Sequence, residues 1–345
     1  MLDYIIVGFG LSGLAFAEQL VEEGKTFVVY ENYSQRSSRV AGGLFNPVVL
    51  KRFTLAWDAF EHMKTAIPYY RKLEDKLHFK IVYDLPILRR FTTIEEQNQW
   101  FEACDKPILS AFMSPNLVKN TNSSLQVPFQ YGCVRQTGRI AINQLLETYL
   151  ADLENKALLH QESFDHTALE INEFGVSYKT MKAKHVVFAE GFGVHDNPFF
   201  NHLPILGNKG EYLIIESEEL KLNLAVKAAI FIIPLGNNLY KVGATYNAMD
   251  KTSNITLASR KEIEKKLAIF VRCKYKVIDQ VAGIRPTVKD RKPIIGTHPV
   301  YPSLHILNGL GSRGILTSPS VARSLYRAIE YKDQIDPLLS LERFN

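Results

Sequence analysis

The chain has 345 residues, 46% hydrophobic and 22% charged, a globular balance that excludes a disordered or fibrous protein and a length that suits two closely packed domains. Its formal net charge of +5 fits an anionic ligand or a nucleic acid, and equally a plain basic surface. No segment approaches the roughly 18 consecutive apolar residues of a membrane span, and the first apolar run begins at Tyr4, which leaves no room for a signal peptide.

In chain order, residues 4–7 (Tyr-Ile-Ile-Val) suit a buried parallel strand. Leu11, Leu14, Ala15, Ala17 and Leu20 mark one face of a helix that ends near Gly24. Residues 26–30 read as a second buried strand. Helical spacing follows at about 53–75, 93–103 and 140–150. Residues 184–189 form a short buried strand, alternating strands fill 210–245, and a charged helix covers about 258–271. A last buried strand at 304–307 leads through a glycine loop to a helix over about 319–331. Ser318 suits its N-cap and Pro319 its first helical position. This order predicts an interleaved α/β protein of two domains.

The cysteines Cys104, Cys133 and Cys273 lie far apart without CxxC spacing. That argues against a disulfide framework or a zinc site and for a reducing, cytoplasmic setting. The histidines show no ligand spacing, so no metal is expected.

Gly8-Phe9-Gly10-Leu11-Ser12-Gly13 is a GxGxxG placed directly after a strand and opening a helix. Gly8 permits the tight turn. Gly10 lets the backbone approach a pyrophosphate, and Gly13 lets the helix pack closely on the strand. The helix N-terminus, with Leu11 and Ser12, offers free N–H groups to phosphate. Glu31 ends the second strand, where a carboxylate accepts hydrogen bonds from an adenosine ribose. This fingerprint marks dinucleotide binding and does not separate FAD from NAD.

The loop Ser37-Ser38-Arg39-Val40-Ala41-Gly42-Gly43-Leu44-Phe45-Asn46-Pro47 lets backbone come close to a flat ring system. Here the sequence resembles the D-amino-acid oxidase family of flavoenzymes, which includes glycine and sarcosine oxidases. Further stretches carry the resemblance: Phe188-Ala189-Glu190-Gly191, Leu203-Pro204-Ile205 with Lys209-Gly210-Glu211-Tyr212, and Val242-Gly243-Ala244-Thr245-Tyr246. Ala282-Gly283-Ile284-Arg285-Pro286-Thr287 with Asp290, Pro293, Ile294 and Gly296 resembles the glycine-oxidase signature, and 308–316 resembles the C-terminal flavin loop. The match runs in order over nearly the whole chain and is weak across about 53–130.

The resemblance implies a Rossmann-like FAD-binding domain interleaved with a substrate domain built on a mainly antiparallel sheet with helices. The expected division is 1–50, 136–205 and 277–345 for FAD, and 51–135 and 206–276 for substrate. It implies a small amino acid or secondary amine as substrate, oxidised at its C–N bond by hydride transfer to flavin N5, with oxygen or a quinone as electron acceptor. A planar guanidinium matches the two oxygens of a carboxylate, and Arg285 holds the family's position for that role. Backbone N–H groups of 311–315 would stabilise charge on the reduced flavin. The FAD set is then Gly8, Gly10, Leu11, Ser12, Gly13, Glu31, Asn32, Ser38, Arg39, Gly42, Gly43, Leu44, Leu169, Ala189, Glu190, Gly191, Gly283, Arg285, Gly311, Ser312, Arg313, Gly314 and Ile315. Tyr246 and Tyr212 are candidate pocket walls or ordinary sheet tyrosines. Arg313 faces the flavin, an anionic substrate group, or solvent. No cysteine is convincingly placed for attachment, so FAD is expected to be non-covalent. No side chain stands out as a catalytic base, and none is required if the amine binds neutral.

Residues 38–47 and 309–314 also resemble another branch of the family. This is the oxidoreductase half of the bifunctional enzyme that makes 5-methylaminomethyl-2-thiouridine in tRNA, which removes a carboxymethyl group from a wobble uridine. That adds tRNA as a candidate partner. Its candidate phosphate contacts are Arg260, Lys261, Lys265, Lys266, Arg272, Lys274, Lys276, Lys289, Arg291 and Lys292, although Glu262 and Glu264 make the helix equally a mixed solvated face. A non-catalytic flavin-binding subunit is a further alternative, and nothing in the sequence sets an oligomeric state.

Overall fold

The computed structural model describes residues 1–344. Strand Leu2–Val7, helix Leu11–Glu22 and strand Phe27–Tyr30 follow the expected strand–helix–strand order. The strand runs parallel to Phe27–Tyr30 on one side and to Met181–Phe188 on the other. Tyr4, Ile5 and Ile6 are fully buried, as a strand covered on both faces must be. Leu304–Asn308 lies beside the second half of Met181–Phe188, again parallel. The hairpin Leu169–Asn172 and Gly175–Tyr178 pairs antiparallel with its first half. Leu159–His160 and Ile294–Thr297 complete this eight-stranded sheet.

The second sheet has seven strands. Lys276–Val288, Ile205–Glu216, Leu239–Gly243, Phe231–Gly236 and Ala225–Lys227 run antiparallel in that order. Ala225–Lys227 then pairs parallel with Ile87–Arg90, which is joined by Tyr131–Val134. The long strand 276–288 belongs to this sheet and delivers Arg285 near its C-terminal end. Gly283 lets it pass the short helix Ser37–Val40: a Cβ there would stand 2.7 Å from Val40 Cγ2 and 3.2 Å from Ser37 Cα.

Two helix starts differ from the sequence reading. The helix expected from about 53 begins at Ala59 and runs to Leu77. Phe53 and Asp58 both adopt positive φ, and Thr54–Leu55 pairs with Val48–Val49 as a hairpin. Phe53 serves the core instead, edge-on to Phe91 and Trp100. The last helix spans Gly314–Tyr331, so it starts before Ser318 and Pro319. Gly311, at φ +57, turns the chain early and makes Arg313 the cap. Pro319 then sits inside the helix and forfeits one carbonyl partner.

A histidine pair lies inside the first sheet. His305 is buried, its Nε2 is 3.0 Å from His185 Nδ1, and its Nδ1 is 2.9 Å from Thr297 Oγ1. Burial pushes His185 down to about 4 and His305 well below its ordinary value. The unfolded chain takes up these protons near pH 6.5, and the folded chain takes up that of His185 only near 4. The stability held by the neutral pair is therefore complete above about pH 6.5 and lost as pH falls toward 4. The melting temperature is expected to drop between pH 7 and pH 5, and His185→Phe to flatten that slope. An equal slope in the variant would show that other groups set the acid limit.

Candidate active site

The two sheets meet along a cleft of about 1560 Å³, larger than the about 300–1,000 Å³ of ordinary small-molecule pockets. All but three of the expected site residues line it. The exceptions are Gly13, Arg39 and Leu169.

At one end lies the glycine turn. Gly8 has φ +92, and a Cβ on it would stand 2.7 Å from Ala189 O. A Cβ on Gly13 would overlap the Gly8 carbonyl oxygen, so this glycine sets helix–strand distance and has no need to face the cleft. Gly10 precedes the helix, and a Cβ on it would come within 2.9 Å of Ser38 Oγ. Ser38 Oγ accepts the Leu11 N–H at 3.1 Å, which ties the loop after the second strand to the helix start. The Glu31 carboxylate accepts the N–H of Phe9 and, at 2.6 Å, that of Tyr33. An ionised carboxylate has about four acceptor positions, so Glu31 retains capacity for two more donors.

Farther along this end, Asn32 Nδ2 donates to Ser163 Oγ at 3.1 Å. Glu190 is held by Asn197 Nδ2 at 2.7 Å and lies 2.9 Å from His166 Nε2. The Gly191 carbonyl accepts from Asn308 Nδ2 at 2.8 Å. Arg39 packs on the Tyr33 ring, 5.0 Å to its centre. Leu169 is a core residue of the first sheet.

The middle of the cleft is a glycine seam. A Cβ on Gly42 would press on Ile233 Cδ1 at 2.8 Å and on Tyr212 Oη at 3.4 Å. Gly43 has φ +75 and lies against Ile140 O. Lys241 Nζ, 5.2 Å from the Tyr212 ring centre, donates to Ala41 O at 3.0 Å and secures this loop to the second sheet. Burial, with Arg139 nearby, lowers the Lys241 ammonium to about 8. Across from the loop, the Gly311 N–H is spent on Pro286 O and the Arg313 N–H on Leu310 O. The N–H groups of Ser312, Gly314 and Ile315 have no partner among the described residues. The expected 311–315 donor set therefore narrows to these three.

At the far end stands Arg285. Its Nη1 is buried without a hydrogen-bond partner, and its Cζ lies 4.8 Å from the centre of the Tyr246 ring. Gly210 on the neighbouring strand makes its space, since a Cβ there would overlap the guanidinium. Asn208, whose Cα pairs with that of Arg285, also lines the cleft with a buried, unpartnered Oδ1. No spacing or motif in the sequence marks Asn208, and Gly210 stands only within the Lys209–Tyr212 motif. Arg313 Nη1 donates to Asn46 O at 3.1 Å, and burial beside Arg291 lowers its guanidinium from the ordinary value. Gly210→Ala is expected to displace the Arg285 side chain, weaken carboxylate binding and leave FAD bound. In an Arg285→Ala background it should add nothing, a comparison that equilibrium titration with a carboxylate makes directly.

A buried, unpaired guanidinium edge costs free energy unless a ligand completes it. The glycine turn, Glu31 and the free N–H groups at two helix starts fit the pyrophosphate, ribose and ring of FAD. None of the three cysteines lines the cleft.

The tRNA 5-methylaminomethyl-2-thiouridine biosynthesis bifunctional protein of Legionella pneumophila is 28% identical over 193 residues, 46% of this chain and 28% of that protein. The chain thus spans well under two thirds of that relative. Glycine oxidase of Bacillus subtilis is 24% identical over 356 residues, 96% of this chain and 94% of that protein. The fold matches the crystal structure of glycine oxidase from Geobacillus kaustophilus with a TM-score of 0.77 at 20% identity, over 97% of this chain and 96% of that one. The family described as FAD dependent oxidoreductase matches residues 3–327, and with that extent of match the chain belongs to it and is an FAD-dependent enzyme.

Proposed function

We propose that the enzyme oxidises the C–N bond of a small amino acid or an N-substituted glycine. The observation that carries this is the buried, unpartnered Nη1 of Arg285 at the end of a cleft suited to FAD. Arg285 receives the substrate carboxylate on its planar fork. Tyr246 covers the guanidinium from the open side, and Tyr212 walls the cleft beside the Gly42–Gly43 loop. Arg285 and Arg313 set a positive potential around the bound substrate, which favours the neutral amine over the ammonium. No side chain then needs to remove a proton from nitrogen. Bound FAD supplies a two-electron acceptor for the hydride. Ser312, Gly314 and Ile315 present N–H groups and the helix dipole to developing negative charge. We assign non-covalent FAD binding chiefly to 1–50, 136–205 and 289–345, and substrate binding chiefly to the second sheet, which takes strand Lys276–Val288 with Arg285 out of the expected FAD portion 277–345. The thiols suit a cytoplasmic location, and among the described residues no helix is long and apolar enough to cross a membrane.

One observation favours a tRNA-borne N-carboxymethyl group as a second reading. The cleft is lined by several cations as well as by the exposed Tyr246. Lys51, Arg52, Lys289 and Arg291 line it with one acid between the last two, Asp290, and Lys292 Nζ lies 5.7 Å from the Trp57 ring centre. On the charged helix, Arg260 is paired to Glu264, and Lys266, which also lines the cleft, is paired to Glu262. The test is anaerobic loss of flavin absorbance on mixing with glycine, sarcosine, proline, D-alanine or hypomodified tRNA. Bleaching by a free amino acid supports the first reading; bleaching by tRNA alone supports the second. No bleaching by any of them would favour a non-catalytic flavin subunit.

A further inference from the structure

Alternate residues of strand Ile205–Glu216 face opposite sides. Asn208 and Gly210 face the Arg285 end of the cleft. Lys209 and Glu211 turn away and are each 1% exposed. A lysine that deep requires counter-charge. Its Nζ lies 2.6 Å from Asp250 Oδ2 and 3.6 Å from Glu211 Oε1.

Asp250 belongs to the segment that joins strand Leu239–Gly243 to helix Leu257–Ala268. That segment is fastened to the same strand residues. Lys209 and Asn247 exchange backbone hydrogen bonds of 2.9 Å, the Thr245 N–H donates to Glu211 O at 3.2 Å, and the Glu211 N–H donates to Thr245 Oγ1 at 3.0 Å. Asp250 Oδ1 accepts from both the N–H and the hydroxyl of Thr252 at 2.8 Å. Between these anchors the segment carries Tyr246, whose ring covers Arg285 although the residue is 71% exposed. Little packing holds that ring in place; the anchors on either side of it do.

We propose that the Lys209–Asp250 ion pair is a positioning element of the substrate site, holding the 244–252 segment on the strand so that Tyr246 stays over Arg285 and narrows the opening above the guanidinium. The proposal rests on the reading of Arg285 as a carboxylate clamp. Clamp and anchor occupy opposite faces of residues 208–210, so a shift of the segment is felt at the guanidinium through one short piece of strand. The Lys209 contact holds the Asp250 carboxyl down at about 2, which keeps the anchor charged at any working pH.

The test uses FAD-loaded enzyme titrated with acetate, a carboxylate that is not oxidised, followed by the flavin absorbance. Asp250→Asn is expected to weaken acetate binding about tenfold, and to have no further effect in a Tyr246→Ala background. With a substrate that bleaches the flavin, Asp250→Asn is expected to raise KM and leave kcat within about twofold. Should that variant not fold, Asn247→Ala leaves the buried charges paired and removes only the side-chain acceptor of the Met249 and Asp250 N–H groups. It is expected to show a smaller weakening that again vanishes without Tyr246. Equal weakening in both backgrounds, unchanged acetate affinity, or a fall in kcat with KM unchanged would overturn the proposal. Arg285→Ala is titrated alongside. If it binds acetate normally, the clamp reading itself fails; if only Asp250→Asn binds normally, the positioning role alone fails.

Discussion

Arg285→Ala is expected to retain FAD and to lose substrate. Truncating one partner of a buried, hydrogen-bonded charge pair costs about 2–5 kcal/mol, which corresponds to roughly 30- to several-thousand-fold in kcat/KM. The loss should fall mainly on KM, because the clamp grips the carboxylate in the ground state as well as in the transition state. Arg285→Lys should restore little, since an ammonium is a point charge and cannot match both oxygens. Steady-state kinetics beside the flavin-to-protein absorbance ratio decide the matter. A variant with unchanged KM would remove Arg285 from the substrate site.

Gly13→Val is expected to yield a colourless protein. A Cβ at Gly13 would overlap the Gly8 carbonyl oxygen, a backbone atom that cannot rotate aside. Relief requires the first helix to move off strand Leu2–Val7, which carries the helix start away from the turn that receives the pyrophosphate. Overpacking of this kind costs about 1–3 kcal/mol, so the melting temperature should fall as well. Gly10→Val meets Ser38 Oγ, a side chain that can rotate, at 2.9 Å. It should lose FAD with a smaller loss of stability, because the side chain then stands at the cofactor surface. The contrast is read from flavin content after gel filtration together with thermal melts. A yellow, fully loaded Gly13→Val protein would contradict the assignment of this turn to FAD.

Local spacing made the first part of the site legible. Gly8, Gly10, Gly13 and Glu31 lie within one strand–helix–strand unit, where turn geometry fixes their relative places. Arg285 was legible only through its resemblance to a motif; composition and periodicity do not single it out. Asn208 and Gly210 reach it through strand pairing across some 75 residues, a register that periodicity cannot supply. Leu169 shows the reverse: apolar and correctly ordered in the chain, it went to the sheet core. Ser318-Pro319 is a sound local start signal, yet the last helix begins before it because the turn at Gly311 aims the chain into the helix earlier.

The central strands of the first sheet are neighbours in space and distant in sequence. Leu2–Val7 lies beside Met181–Phe188, and that strand beside Leu304–Asn308. During synthesis the N-terminal unit must therefore wait with an unpaired edge, and the last helix, which packs on both Leu11–Glu22 and Ala59–Leu77, arrives later still. The flavin site is consequently a property of the finished chain. Until residues 311–315 and the helix behind them are in place, the cleft lacks the wall that they supply.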